Sequence, residues 1–178
     1  MSGHNKWSKI KNKKAATDAT KSKIFSKMAK LISTASKQAK GDTSSPILRT
    51  AIEKAREYNM PADNIERAVK KGTGADAETL EVITYEAYGP GGSALIIEAL
   101  TDNRNKVAQE VKFILSKHSF SLAAPGSALW VFKREPTTND LQPTTTVKLS
   151  KDDGHKLETL INELEDNDEV QDVYTNAE

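Results

Sequence analysis

The stretch SALIIEALTDNRNKVAQEVKFIL, Ser93–Leu115, decides how the second half of the chain is built. Ala94 to Leu100 is an apolar run of strand length bounded by a glycine turn on one side and polar residues on the other. Asp102 and Asn103 then offer N-caps. After them Val107, Ala108, Val111, Ile114 and Leu115 recur at helical spacing on one face, while Phe113 lies off it. A strand that passes directly into an amphipathic helix is one half of a βαβ unit.

The neighbouring segments extend the pattern. Upstream, Gly89-Pro90-Gly91-Gly92 reads as a tight turn and Leu80 to Tyr88 as a strand. Downstream, Pro125-Gly126 precedes a strand over Leu129-Trp130-Val131-Phe132, and Glu135 to Pro143 reads as a polar loop. Thr144 to Leu149 reads as a strand. Ser150 caps a helix whose stripe is Leu157, Leu160, Ile161 and Leu164, and Val170 to Tyr174 closes as a short strand. From Ser93 onward this is β-α-β-β-α-β with one extra strand in front, the order of a ferredoxin-like split βαβ.

The first seventy residues read as three helices. Ile24, Phe25, Met28, Leu31, Ile32, Ala35 and Ala39 make one apolar stripe. Gly41 suits its C-cap, and Ser44 or Ser45 before Pro46 suits the next start. Ile47, Leu48, Ala51, Ile52 and Ala55 mark the second helix, which Asn59-Met60-Pro61 ends. Ile65, Ala68 and Val69 mark the third, with Pro61 in its first turn. Gly72-Thr73-Gly74-Ala75-Asp76-Ala77 has the letters of a dinucleotide fingerprint but follows a helix and precedes a strand, the reverse of what that fingerprint needs. It reads as a linker. The expected class is α+β: an N-terminal three-helix domain (1–75) followed by a ferredoxin-like α/β domain with an extra N-terminal strand (76–178).

Charge divides at the same place. The whole chain is only +1. Residues 1–71 nevertheless hold 17 Lys+Arg against 6 Asp+Glu, and residues 72–178 hold 9 against 19. A cationic end of this kind points to a polyanion, most often nucleic acid. Lys6, Lys9, Lys11, Lys13 and Lys14 lie in a basic arm, where Trp7 is either a base-stacking residue or a staple onto the helices. On the first helix Lys23, Lys27, Lys30 and Lys37 fall on the face opposite the apolar stripe, an expected lysine row. The competing reading is a solvated face or tail.

No catalytic set emerges. His4, His118 and His155 stand singly, and His118 reads as a helix C-terminal cation. There are no cysteines. No apolar run approaches the ~18 residues of a membrane helix. The Gly89–Gly92 turn lacks the Lys-Ser/Thr of a phosphate loop, although its bare N–H groups suit phosphate. The cluster Asp102-Asn103-Arg104-Asn105-Lys106 reads as a helix start or a second anion contact. The expectation is a cytoplasmic non-enzyme without metal, cofactor, small-molecule substrate or membrane contact. A helix-turn-helix is permitted by the element spacing, without a recognisable recognition helix.

Several longer motifs carry a resemblance. Gly3-His4-Asn5-Lys6-Trp7, Lys13-Lys14-Ala15-Ala16, Lys23-Ile24-Phe25, Asn59-Met60-Pro61, Tyr85 through Gly92, Asp102-Asn103-Arg104-Asn105 and Gly126-Ser127 resemble the YebC/PmpR family. This family of bacterial regulators includes the mitochondrial translational activator of cytochrome c oxidase. The likeness runs from residue 2 to the Val170–Tyr174 end. It implies a helical domain followed by α/β domains. It also implies a nucleic-acid role, as DNA-binding transcriptional regulation or as ribosome-associated help with translation, notably at proline-rich stretches. It adds Tyr88, Gly91, Gly92 and Arg104 as expected contacts. With the family start at residues 3–7, no transit peptide is expected ahead of it. Family members usually carry a further α/β domain after the strand matching Leu129 to Phe132, where this chain has only the Glu135–Pro143 loop. Ala87 and Lys106 also depart from the usual glycine and arginine. RNA on the ribosome is the favoured partner, duplex DNA the alternative, and a scaffold pairing basic with acidic halves the third. Oligomeric state is open, with a monomer favoured.

Overall fold

The computed structural model describes residues 18–178, which form two compact units, one ending at Glu81 and the other running from Val82 to Glu178. The first holds three helices: α1 (Asp18–Gln38), α2 (Pro46–Glu57) and α3 (Ala62–Thr73). Met28, Ile32, Ala35, Leu48, Ala51, Ile52, Ala55, Met60, Ile65 and Ala68 form its core, with Ile24, Phe25 and Leu31 packed at the edge. Ile47, expected in the α2 stripe, is 46% exposed, because it follows Pro46 in the first turn and sits on the flank of the Leu48–Ala51–Ala55 face.

Gly72 lies inside α3 and not in a linker. A Cβ there would lie 2.3 Å from the Ser33 carbonyl oxygen and 2.7 Å from the Ser36 Cβ. The absent side chain lets α1 and α3 meet almost backbone to backbone, and the fully buried Ser36 donates its Oγ to the Val69 carbonyl at 2.8 Å across the same contact.

Helix ends show how turn chemistry was only partly legible. α1 closes with bonds from Gly41 N to Ser36 O and from Lys40 N to Lys37 O, a Schellman pattern. Lys40, not Gly41, therefore takes the left-handed C′ position, at φ +52°. α2 repeats it with Asn59 at φ +58° and buried Met60 after it.

The second unit is organised by a three-stranded sheet in the order β1 (Glu81–Tyr88), β2 (Ala94–Thr101), β5 (Val170–Thr175). β2 and β5 run antiparallel, Ile96 opposite Tyr174 and Ile97 opposite Val173. Helices α4 (Arg104–Lys117) and α5 (Lys151–Glu165) cover one face through Leu95, Ile97, Val107, Val111, Leu157 and Leu160. Asn103 caps α4 by accepting from Lys106 N, and Ser150 caps α5 by accepting from Asp153 N. α4 ends in a third Schellman pattern with Ser119 at φ +66°.

The strands β3 (Phe132–Arg134) and β4 (Leu141–Pro143) make a separate two-stranded sheet. It packs on the other face of the first sheet, where Ala94, Ile96 and Tyr174 meet Val131, Phe132 and Leu141. The element order expected from sequence is thus present, with its strands shared between two sheets. Two strand boundaries are corrected. Leu129–Val131 is a 3-10 turn, and only Phe132 begins the strand. Thr144 to Leu149 is not a strand beyond a single bridge from Val147 to Ala177, while β4 lies inside the expected loop. One apolar side chain, Leu141, anchors β4, too little to show as periodicity.

The reason for the 3-10 turn lies on β1. Glu86, 6% exposed, accepts hydrogen bonds from Gly126 N at 2.6 Å and from Ala128 N and Leu129 N at 2.8 Å each. These donors would otherwise need a neighbouring strand. Burial pushes the Glu86 carboxyl up, but the three N–H donors together outweigh it and hold the group below the ordinary value of 4.5.

Three outcomes follow from this architecture. Gly72→Ala is expected to destabilise the helical unit by roughly 1–3 kcal/mol through overpacking, read by urea denaturation. Ser119→Gly is expected to stabilise the chain by about 1 kcal/mol by relieving the left-handed conformation, read in the same assay. A depressed carboxyl pKa contributes stability above the unfolded value and loses it as pH falls through the folded one. The 126–129 loop is therefore expected to loosen only below pH 4.5, seen as a change in Trp130 fluorescence in a Trp7→Phe background, whereas Glu86→Ala shows the loosened signal at neutral pH.

Candidate nucleic-acid interface

Lys6, Trp7, Lys9, Lys11, Lys13 and Lys14 lie outside the described residues. The expected lysine row on α1 is not a free row. Lys27 is buried at 7% exposure, and Lys23 and Lys30 are half-buried. The helical wheel gives the reason: Lys27 lies between Ile24 and Leu31, three residues before and four after, so its stem runs along the edge of the core. Lys37 is exposed, and its Nζ donates to Thr79 Oγ1 at 2.9 Å and to the Ala77 carbonyl at 3.3 Å.

Exposed cations gather elsewhere on the unit. An open groove of about 610 Å³ runs between α1 and α3. Lys21, Arg67 and Lys71 stand on its walls against one acid, Asp18, and Phe25, Ala29, Met60 and Ala68 form its floor. Arg67 is held by Asn64 Oδ1 and by the Asp63 carbonyl, so its fork is oriented before any ligand arrives. Lys71 pairs with Glu78 at 3.6 Å, an exposed contact that a phosphate can displace at little cost. A second hollow between α2 and α3, about 540 Å³, mixes Arg49, Arg56 and Lys70 with Glu53 and Glu66, and is less suited to an anion. Lys21, Arg67 and Lys71 were not singled out from sequence. They come from two helices whose pairing only the fold fixes.

In the second unit the structure separates one expected contact, Arg104, from the other three. Tyr88, Gly91 and Gly92 sit together where β1 turns into β2. Arg104 follows the far end of β2, an eight-residue strand that spans roughly 25 Å. Gly91, at φ +64°, packs so closely that a Cβ would lie 2.5 Å from Leu149 Cδ2, whereas Gly92 faces open space. Both glycines are exposed, and both take left-handed φ, +64° and +75°, which is the conformation that favours glycine at each position.

At that turn Tyr88 has an aromatic neighbour that sequence reasoning missed. Tyr88 Oη donates to the Ser127 carbonyl at 2.6 Å, and Trp130 Nε1 donates to the same oxygen at 2.8 Å. Both rings are exposed, Tyr88 by 40% and Trp130 by 68%. The loop that carries Ser127 and Trp130 is the one Glu86 clasps. Trp130 read from sequence as one residue of an apolar strand, and nothing in the pattern marked its side chain as outward.

Among the described residues no group of three or more His, Asp or Glu side chains could hold a metal ion. His118 Nε2 lies 2.6 Å from Glu163 Oε2, with Lys117 on the other carboxylate oxygen, a surface ion cluster between α4 and α5. No described helix is long and apolar enough to cross a membrane.

Residues 5–75 match the family described as the TACO1/YebC protein N-terminal domain. Residues 80–139 and 135–177 match the TACO1/YebC second and third domain. A protein of Fervidobacterium nodosum named "Probable transcriptional regulatory protein" is 40% identical over 235 residues, covering 99% of this chain and 93% of that one. A protein of the same name from Pseudothermotoga lettingae is 39% identical, covering 100% and 94%. An alignment over 235 residues exceeds the 178 present here, so at least 57 positions of the first relative face a gap. The two-part match meets at 135–139, in the turn between β3 and β4. The crystal structure of a conserved hypothetical protein from Aquifex aeolicus superimposes with a TM-score of 0.78 at 30% identity, covering 90% of this chain and 91% of that one. With both domain descriptions matched across nearly its whole length, the chain belongs to the TACO1/YebC family.

Proposed function

We propose that this protein is a non-enzymatic, nucleic-acid-binding regulator of gene expression that grips its partner through the basic helical unit. The observation that carries this is the α1–α3 groove, where three cations from two helices stand over an apolar floor with a single acid among them. Lys21, Arg67 and Lys71 supply charge for phosphates, and the floor accepts the less polar sugar edge. The basic arm of residues 3–14 belongs to the same reading through its composition. The names of the relatives, regulators of transcription, fit a nucleic-acid partner.

RNA in a ribosomal setting is the favoured target. The cationic block of residues 2–40 contains lysine and no arginine, and lysine meets phosphate as a point charge, whereas base reading favours the planar forks of Arg, Asn and Gln. A structured RNA held by its backbone needs no base reading. Duplex DNA is the second reading, favoured by the relatives' names.

Replacing Lys21, Arg67 and Lys71 together by glutamine is expected to weaken binding of unrelated sequences alike. It should also flatten the dependence of log affinity on log salt by about 2–3 on duplex DNA and about 2 on single strands. Equilibrium titration over a salt series checks this. An unchanged slope sinks the groove as the contact surface. Co-sedimentation with ribosomes against retention on duplex DNA at physiological salt separates the two targets.

A further inference from the structure

We propose that Tyr88 and Trp130 form a stacking platform for an unpaired nucleobase, held in place by the Glu86 clasp. This deepens the nucleic-acid reading and rests on it.

Four observations converge. First, both rings are exposed, yet their polar atoms are already satisfied by one acceptor, the Ser127 carbonyl. What remains for a ligand is the π faces, and every base has a face to match them. Second, the platform is built rather than incidental. The buried Glu86 carboxylate spends three hydrogen bonds fixing Gly126, Ala128 and Leu129, the residues on either side of Ser127 and next to Trp130. Those bonds satisfy both carboxylate oxygens within the fold. Third, the loop backbone next to Ser127 is open: nothing lies within 4 Å of where a Cβ would stand on Gly126. A sugar-phosphate can therefore come close without meeting a side chain.

Fourth, area selects the occupant. A fully presented aromatic side chain offers 150–250 Å², so the exposed parts of Tyr88 and Trp130, with the 37% exposed Leu129, total on the order of 300 Å². A protein partner or a second copy needs about 800 Å² a side for a stable interface. A single base, flat and ring-sized, needs far less. Glu86, Tyr88, Ser127 and Trp130 thus assign a base-stacking role to the acidic unit, distinct from the phosphate-holding role of the helical one.

The test compares two strands of equal length and charge, an oligouridylate and its abasic counterpart, titrated into the full chain in a Trp7→Phe background. The wild-type platform is expected to bind the base-bearing strand roughly 10-fold tighter than the abasic one, with quenching of Trp130 fluorescence. Trp130→Ala should erase that ratio while leaving affinity for the abasic strand unchanged. Trp130→Phe should restore most of it. Because Trp130 is largely exposed, its truncation removes little of the core, and circular dichroism of each variant confirms the fold.

Equal binding of both strands by the wild type, or a ratio that survives Trp130→Ala, overturns the platform and leaves the phosphate-binding reading standing. Concentration-dependent self-association lost in Trp130→Ala, without any base preference, also overturns it and gives the patch to a second copy. Binding of neither strand, nor of duplex DNA, removes the nucleic-acid reading and the platform with it.

Discussion

The second unit depends on one constraint: β2 has no face left for water. Leu95, Ile97 and Ala99 point to one side and Ala94 and Ile96 to the other, all at 1% exposure or less. Such a strand must be covered twice. The two helices supply one cover, and the short β3–β4 sheet, with the turn that leads into it, supplies the other. The second cover is small, resting on Val131, Phe132 and Leu141, so its position must be set by something besides apolar area. Glu86 sets it. An ionised carboxylate with three backbone donors holds the 126–129 loop against β1, and charge-assisted bonds of this kind are the stronger class. Arg134 adds a second tie, reaching Glu98 on β2 at 2.6 Å, and Tyr174 on β5 donates to Asp140 in the β3–β4 turn at 3.2 Å.

The same polar clasp has a consequence at the surface. A loop fixed from beneath can display large side chains without collapsing onto them, and Trp130 stands out from a loop whose backbone is already satisfied. The helical unit solves a different problem. Its core interleaves alanines with Met28, Ile32, Leu48, Ile52, Met60 and Ile65, and Gly72 brings α1 and α3 so close that the rims of their shared groove carry cations from both helices. Packing thus creates the basic groove, which charge composition alone does not locate. The turn between β3 and β4 is the other point where packing meets the family pattern. There the two parts of the family match meet, and a six-residue turn, Glu135–Asp140, closes with bonds between Glu135 and Asp140 and between Asn139 and Glu135.

Much of the fold was legible. The α1, α4 and α5 stripes, the strands β1, β2 and β5 and the caps at Asn103 and Ser150 all follow from spacing, because long amphipathic elements repeat their signal over several turns. The misreadings share a cause. Leu129–Val131 looked like a strand because three apolar residues in a row carry no period. β4 looked like a loop because Leu141 is its single apolar residue. The lysine row looked like one exposed face because its four lysines were grouped together, although Lys27 stands at the edge of the stripe beside Ile24 and Leu31.

By itself the sequence determined the helices and their order, the strands β1, β2 and β5, the cationic amino-terminal third, the family motifs and the absence of cysteine chemistry. These are local or compositional properties, carried by residues close together in the chain. Only the tertiary structure decided that the strands divide into two sheets, that Lys21, Arg67 and Lys71 line one groove, and that Tyr88 and Trp130 share an acceptor over the Glu86 clasp. The groove and the clasp join residues some forty positions apart and β2 pairs with β5 across more than seventy, and a one-dimensional pattern holds no term for which distant backbone donors a buried carboxylate will find.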